Sequence, residues 1–265
     1  MSYQRVQAIV EKEWLDMRKN KLIVLSMFLL PILVVAMILG TAWGMARTSP
    51  EDDERDGLAQ GLTLPPSLAA LSERDATMVL MNDQFMFYLL LMPIALPVYV
   101  TAYSIIGEKE THSLEPLLAT PVGTEELLLG KVIAAVTPAV LAAWLSFGLT
   151  AAGMFFIASR VVFLHLVRPI WTLGMLVHGP LFGLLSAISG VIASSRMNDP
   201  RAAQQVAGLI IVPVIGASVA VLMGRIYLDI SVLLWATVVM ILVNLAALRL
   251  TIGLFQRETI LTRWK

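Results

Sequence analysis

The sequence has no cysteine and only three histidines among 265 residues. The first absence excludes disulfides, thiol catalysis and cysteine-based metal sites together. The second leaves too few imidazoles, too widely scattered, to build a metal centre, so no metal is expected. Charge is scarce too: Asp, Glu, Lys and Arg make up 14% of the chain, against about 25% in average soluble domains. The net charge is zero, which gives no sign of a nucleic-acid partner. HExxH, GxSxG and paired intramembrane aspartates are all missing, so no catalytic residue is assigned and an intramembrane enzyme fits poorly.

A nucleotide loop is missing as well. The stretch GEKETHSLEPLLATPVGTEELLLGK, Gly107 to Lys131, ends in Gly-Lys, but a Walker A loop needs four residues between its first glycine and Gly-Lys, then Ser or Thr. Here six residues separate Gly123 from Gly130, and Val132 follows Lys131. Any ATP used must be hydrolysed by another chain, which is where ATP and Mg would bind; this chain is expected to bind no cofactor.

What the sequence has in abundance is apolar residues, 58% of the total with a mean hydropathy of +0.80. A soluble core cannot absorb that much apolar surface, so the composition predicts an all-α, polytopic membrane protein. Crossing about 30 Å of hydrocarbon takes about 20 apolar residues in a helix. Six runs qualify: Leu22–Ala46, Gln84–Ile106, Val132–Ile157, Ile170–Ser194, Val206–Gly224 and Ser231–Leu248. The first is too long for a signal peptide and is read as a permanent span. Residues 22–248 therefore form one six-helix transmembrane domain, with an amphipathic interfacial helix over 1–21 and a cytoplasmic tail over 249–265.

Lys and Arg fix the expected orientation. Thirteen of the nineteen fall on the face holding the amino terminus, the 107–131 loop, the loop after span four and the tail. Both termini and the 107–131 loop are thus placed in the cytoplasm, and the 47–83 loop outside. The outer loop carries PEDDERD, Pro50 to Asp56, read as a solvated charge run. Ser72 with Asp75 three residues on predicts a cap leading into span two. In the first helix, Tyr3, Val6, Val10, Trp14 and Met17 share one face, predicting a helix in the headgroup plane against the lipid membrane.

Intramembrane ionisable groups mark ion paths and proton relays. All nineteen Asp and Glu residues can be assigned outside the spans, which disfavours an ion-coupled secondary transporter. His178, beside Gly179-Pro180, is expected to hydrogen-bond a carbonyl freed by the proline, and Asn244 to tie helices together. Pro93 and Pro97 predict an irregular second span. The GxxxG pairs Gly40–Gly44 and Gly179–Gly183 are candidate dimer contacts.

The 107–131 stretch holds five carboxylates, two lysines and the breaker Pro121-Val122-Gly123 between two spans. Thr124 is expected to cap a helix with Glu125 and Glu126 in its first turn. Upstream, Leu114, Leu117 and Leu118 can share a face beside Glu108, Glu110 and Glu115. A loop that merely joins two spans could be much simpler, so the plausible purpose is docking another protein. The pattern resembles the first cytoplasmic loop of type-two ABC transporter permeases, the exporter class, approximately E-K-E-x-G-T-L-E-x-L-L-x-x-P-V-x-x-x-E-x-x-x-G-K. Glu108, Lys109, Glu110, Leu114, Glu115, Leu117, Leu118, Pro121, Val122, Glu126, Gly130 and Lys131 match it, whereas His112-Ser113 stands where Gly-Thr is usual.

The resemblance implies a permease subunit of an exporter in the cell membrane. Two permease chains, identical or related, would pair with two copies of a separate ATPase subunit. The loop residues Glu108, Lys109, Glu110, Leu114, Glu115, Leu117 and Leu118 would couple to the ATPase. A secondary transporter and a membrane scaffold without a pumping role are the rival classes; the substrate is not named by any residue.

Overall fold

The computed structural model describes residues 2–47, 68, 70–111, 123–223 and 229–254. The PEDDERD run, the tail after 254, and Leu114, Glu115, Leu117 and Leu118 lie outside them. Among the described residues the structure is helical throughout, and six helices are long and apolar enough to cross a membrane. Helix α1, Tyr3–Lys19, is joined by Asn20 alone to α2, Lys21–Arg47, the first span. Helix α3, Glu73–Glu110, is the second span, and α4, Thr124–Ile157, the third. Two short helices, α5 (Arg160–Leu166) and α6 (Pro169–Leu173), and a π turn (Gly174–His178) lead into α7, Gly179–Arg196. The fifth span is broken into α8, Pro200–Gly208, and α9, Ile211–Leu222; α10, Ile230–Leu254, is the sixth.

Helix α3 is the centre. In its most apolar stretch 72% of residues are buried, against 17% for the first and fifth spans and 6% for the sixth. It packs most extensively on α7, where Gly190 lets the backbones close: a Cβ there would run into the Thr101 side chain. Ile38 of α2, Met86 and Leu89 of α3 and Met154 of α4 fill the core at one end of the bundle. Val100, Ile105, Leu128, Ile188 and Met17 fill the other. The peripheral spans keep rows of exposed apolar side chains, including Phe28, Ile32, Trp235 and Leu242, as expected for surfaces facing lipid or another chain.

Several expectations hold. Ser72 accepts a hydrogen bond from the Asp75 backbone N–H at 3.2 Å and starts α3. Asn244 ties α10 to α7 through Nδ2 to the Leu181 carbonyl, 3.2 Å. Others are corrected. Helix α3 runs uninterrupted through Pro93 and Pro97; nearby, Thr101 Oγ1 donates to Pro97 O at 2.8 Å and Ser186 Oγ to Ile94 O. His178 does not cap a freed carbonyl. Pro180 lacks an N–H and the chain widens into the π turn just before it; Trp144 Nε1 of α4 donates to the Met175 carbonyl there at 2.9 Å. His178 Nε2 instead sits 3.4 Å from Thr237 Oγ1 on α10. The fifth span starts at Pro200, earlier than expected, with Asp199 accepting from the Arg201 and Ala202 N–H groups.

The glycine pairs separate. Gly40 and Gly44 are exposed, and a Cβ on either meets nothing within 4 Å. Gly179 and Gly183 are buried, and a Gly183 Cβ would lie 3.1 Å from Val136 of α4 and 3.4 Å from the Pro93 carbonyl of α3. The second pair therefore packs α7 inside this chain and is removed from the candidate dimer contacts.

The apolar stripe of α1 is covered by protein. Val6 and Met17 are buried, Val10 is half-buried, and Trp14 Nε1 donates to the Ala134 carbonyl of α4 at 3.0 Å. Tyr3 is 80% exposed and leaves the stripe. Gly130 of α4 is what brings α1 so close: a Cβ there would stand 2.6 Å from Ile9 Cγ2 and 2.8 Å from Ile9 Cβ. A β-branched neighbour held by its own backbone cannot retreat. Gly130→Ala is thus expected to push α1 off α4 and cost about 1–3 kcal/mol, the usual penalty for overpacking. Thermal unfolding in nanodiscs checks this against Gly148→Ala, whose Cβ meets nothing within 4 Å; equal melting of the two variants would contradict the close approach.

Candidate functional site

The two ends of the 107–131 stretch are held by different devices. At its start, α3 closes with the Thr111 N–H and Oγ1 both donating to the Gly107 carbonyl. At its end, α4 begins one residue earlier than expected, with Gly123 as its cap and Thr124 as its first helical residue. Glu126 reaches back to the Gly123 N–H at 3.0 Å, the returning arm of a capping box. Its other oxygen accepts from the Ser2 backbone N–H at 2.6 Å, and Arg5 Nη1 donates at 3.5 Å to the same oxygen that caps Gly123. One carboxylate thereby caps α4 and anchors the start of α1 to it.

One to two turns further in lies a buried ionic cluster. Lys131 of α4 is 2% exposed, and its Nζ donates to Glu13 Oε1 at 2.7 Å and Ser104 Oγ at 2.5 Å. Glu108 Oε2 is 2.9 Å from the same nitrogen. Ser104 Oγ in turn donates a hydrogen bond to Glu13 Oε2 at 2.7 Å. Lys12 closes the ring from outside, 2.5 Å from Glu108 and 3.1 Å from Glu13. Two carboxylates and two ammoniums cancel, which is the condition for burying them: an uncompensated charge there would cost several kcal/mol.

The cluster holds its charged forms firmly. Burial alone would raise the Glu13 carboxyl, but the Lys131 ammonium and the bonds from Lys131, Lys12 and Ser104 hold it below the usual carboxylate range. Burial alone would lower Lys12, but Glu108 and Glu13 hold its ammonium well above the ordinary lysine range. Such a cluster ties α1, α3 and α4 together with charge-assisted bonds rather than apolar contacts alone.

Lys109 adds a fourth helix. Its Nζ donates to the Ser194, Ser195 and Met197 carbonyls at 2.6, 3.1 and 3.3 Å. These are orphan acceptors at the end of α7, where a cation also suits the helix dipole. Of the residues expected at a docking face, Glu108 and Lys109 thus turn inward, and Glu108 is 7% exposed. Glu110 is exposed. Displacing the loop would therefore pull on α1, α3, α4 and α7 together.

Sequence reasoning missed Lys12, Glu13, Ser104 and the inward role of Lys131. A signal was present: Glu13 falls at the same helical spacing as Val6, Val10 and Met17, in the middle of the apolar stripe. A carboxylate there demands a partner, and Lys131 follows the loop directly.

At the opposite end of the bundle, Asp83 of α3 accepts from Arg168 Nη2 at 2.8 and 3.0 Å and from Trp171 Nε1 at 2.6 Å. This pins the α5–α6 corner to α3.

The family described as ABC-2 family transporter protein matches residues 7–245, from within α1 to within α10. No curated protein matches the chain.

Proposed function

The chain belongs to the ABC-2 transporter family as a membrane-embedded permease subunit, and on that premise we propose that it moves substrate out of the cytoplasm using ATP hydrolysed by a separate ATPase. Two permease chains, identical or related, assemble with two ATPase subunits in the cell membrane. Both termini and the 107–131 loop face the cytoplasm. Glu110, Leu114, Glu115, Leu117 and Leu118 form the contact with the ATPase, while Glu108 and Lys109 fasten the loop to the helices behind it.

The observation that supports this reading is the clasp of Lys131, Glu13 and Glu108 across the two ends of the loop. A loop serving only as a connection needs no buried ion cluster at its root. A loop that receives a push needs rigid attachment at both ends, so that displacement by the ATPase shifts an equilibrium between two arrangements of the spans rather than bending the loop. Gly40 and Gly44, open on the outer face of α2, remain suited to close approach by a second permease chain.

Orientation is tested by single-cysteine labelling, because the native chain has no cysteine. Ser67→Cys is expected to react with an impermeant maleimide added outside intact cells. Reaction only after the cytoplasmic side is opened would reverse the topology.

A further inference from the structure

Span four changes helical register at its midpoint. In an α-helix each N–H bonds the carbonyl four residues back, so the Gly179 N–H would serve Met175. Here it serves the Gly174 carbonyl, five residues back, across the π turn Gly174–His178. The Met175 carbonyl loses its helical donor, and residue 180, the next donor along, is a proline with no N–H. Trp144 Nε1 of α4 fills the place at 2.9 Å. That bond replaces a missing one only in the π register, because in an α register the Gly179 N–H already satisfies Met175.

Neither register satisfies every group. The α register sets the Pro180 ring against the Leu176 carbonyl, four residues back, and leaves that carbonyl without its donor. The π register leaves His178, 5% exposed, with no hydrogen-bond partner at Nδ1. A single added bond, such as the one from Trp144, therefore weighs heavily in the choice between them.

What the register moves is the outer corner. Helix α6 runs without a break into the π turn and α7. Removing the extra residue of the π turn rotates Pro169–Leu173 by about 100° and draws it in by about 1.5 Å relative to α7. That segment carries Trp171, 2% exposed, whose Nε1 donates to Asp83 of α3 at 2.6 Å and whose ring meets Phe87 edge-on, 5.3 Å between centroids. A rotation of that size takes the indole off Asp83, and takes Arg168, the cap of α6, with it. Helix α7 stays in place, held to α3 at Gly190 and by Lys109.

We propose that span four is a two-register switch. Trp144 and Asp83 together hold the π register; loss of either partner lets the outer half turn into an α register and swings the α5–α6 corner off α3. Helix α4 carries Trp144 and, about 20 Å away along its axis, Lys131 of the clasp. On the proposed function, a push on the loop therefore shifts Trp144 past Met175 and opens the outer end of the bundle. The switch itself belongs to this chain and does not require that an ATPase docks on the loop.

The test uses the full-length chain in nanodiscs with nitroxide labels on engineered cysteines, the native chain having none. Labelled chain is diluted with unlabelled chain so that only distances within one chain are read. Leu173→Cys, on the segment that turns, is paired in one protein with Ile32→Cys on α2 and in another with Leu242→Cys on α10, all three being exposed positions. The native background is expected to give one distance for each pair. Trp144→Phe removes the N–H and keeps a ring at a site 37% exposed. It should add a second distance, displaced in at least one pair by about 5–8 Å, the chord of that rotation at side-chain radius. Pro180→Ala relieves the clash and restores a donor, and with all donors present a plain α-helix is the ordinary outcome; it should add the same second distance. Asp83→Ala, acting from the latch side, should add it too. Native distances retained in Trp144→Phe or in Pro180→Ala would overturn the switch, and if Trp144→Phe does not fold, Pro180→Ala decides alone. A different second distance in Asp83→Ala would overturn the coupling of latch to register. No ATPase is present, so these outcomes are independent of whether the loop docks one.

Discussion

Replacing Lys131 with methionine is expected to destabilise the chain by about 3–5 kcal/mol, the cost of leaving a buried ion pair without one partner. Glu13 and Glu108 are 4% and 7% exposed, and Lys12 alone would have to neutralise both. Methionine retains most of the lysine stem, so lost packing is a minor part of the effect. The double variant Lys131→Met with Glu13→Gln removes one charge of each sign and should recover a large share of the loss. Thermal unfolding of the four proteins in nanodiscs gives the coupling. The pH profile is a second readout. A carboxyl held low in the folded state stabilises above its unfolded value, about 4.3, and loses that contribution as pH falls through the folded value. An ammonium held high, as Lys12 is, contributes fully below about 10.4 and fades as pH rises through its folded value. The clasp should therefore be flat from about pH 5 to about pH 10, and Glu13→Gln should flatten the acid limb. Additive single and double effects would remove the clasp as a unit.

The second large effect is expected at the loop itself. Leu117→Asp should weaken ATPase binding by about 10- to 100-fold, since full burial of a leucine is worth about 1.5–3 kcal/mol and each 1.4 kcal/mol is tenfold. The new carboxylate adds a desolvation cost in a docking groove. Insertion and abundance should stay near normal, because the substitution leaves the spans and the clasp untouched. Glu110→Gln removes one charge of an exposed pair, worth about 0–1 kcal/mol, and should do little. If Leu117 packs on the chain's own helices or on lipid, Leu117→Asp will lower abundance while the surviving protein keeps its ATPase affinity.

The sequence makes the spans legible because a bilayer imposes one length and one chemistry. Leu22–Ala46 differs from α2 by one residue at each end. The cap at Ser72 was readable for the same reason, a local bond between residues three apart. Two kinds of feature were not. Pro93 and Pro97 look like breaks along one chain, but α3 continues through both, packed most extensively on α7. The clasp joins Glu13 to Ser104 and to Lys131 across 91 and 118 residues, distances no periodicity carries. The resemblance put Glu108 and Lys109 with the docking residues. Their motif positions are on the loop, but their side chains turn back into the bundle.

The most direct measurement of the central claim is the amount of ATPase retained per folded permease after purification, read together with ATP-driven transport in liposomes. The account predicts that Leu117→Asp lowers retention at least tenfold, whereas Glu110→Gln stays within twofold of the native chain. Retention unchanged by Leu117→Asp, with transport still coupled to ATP hydrolysis, would contradict it.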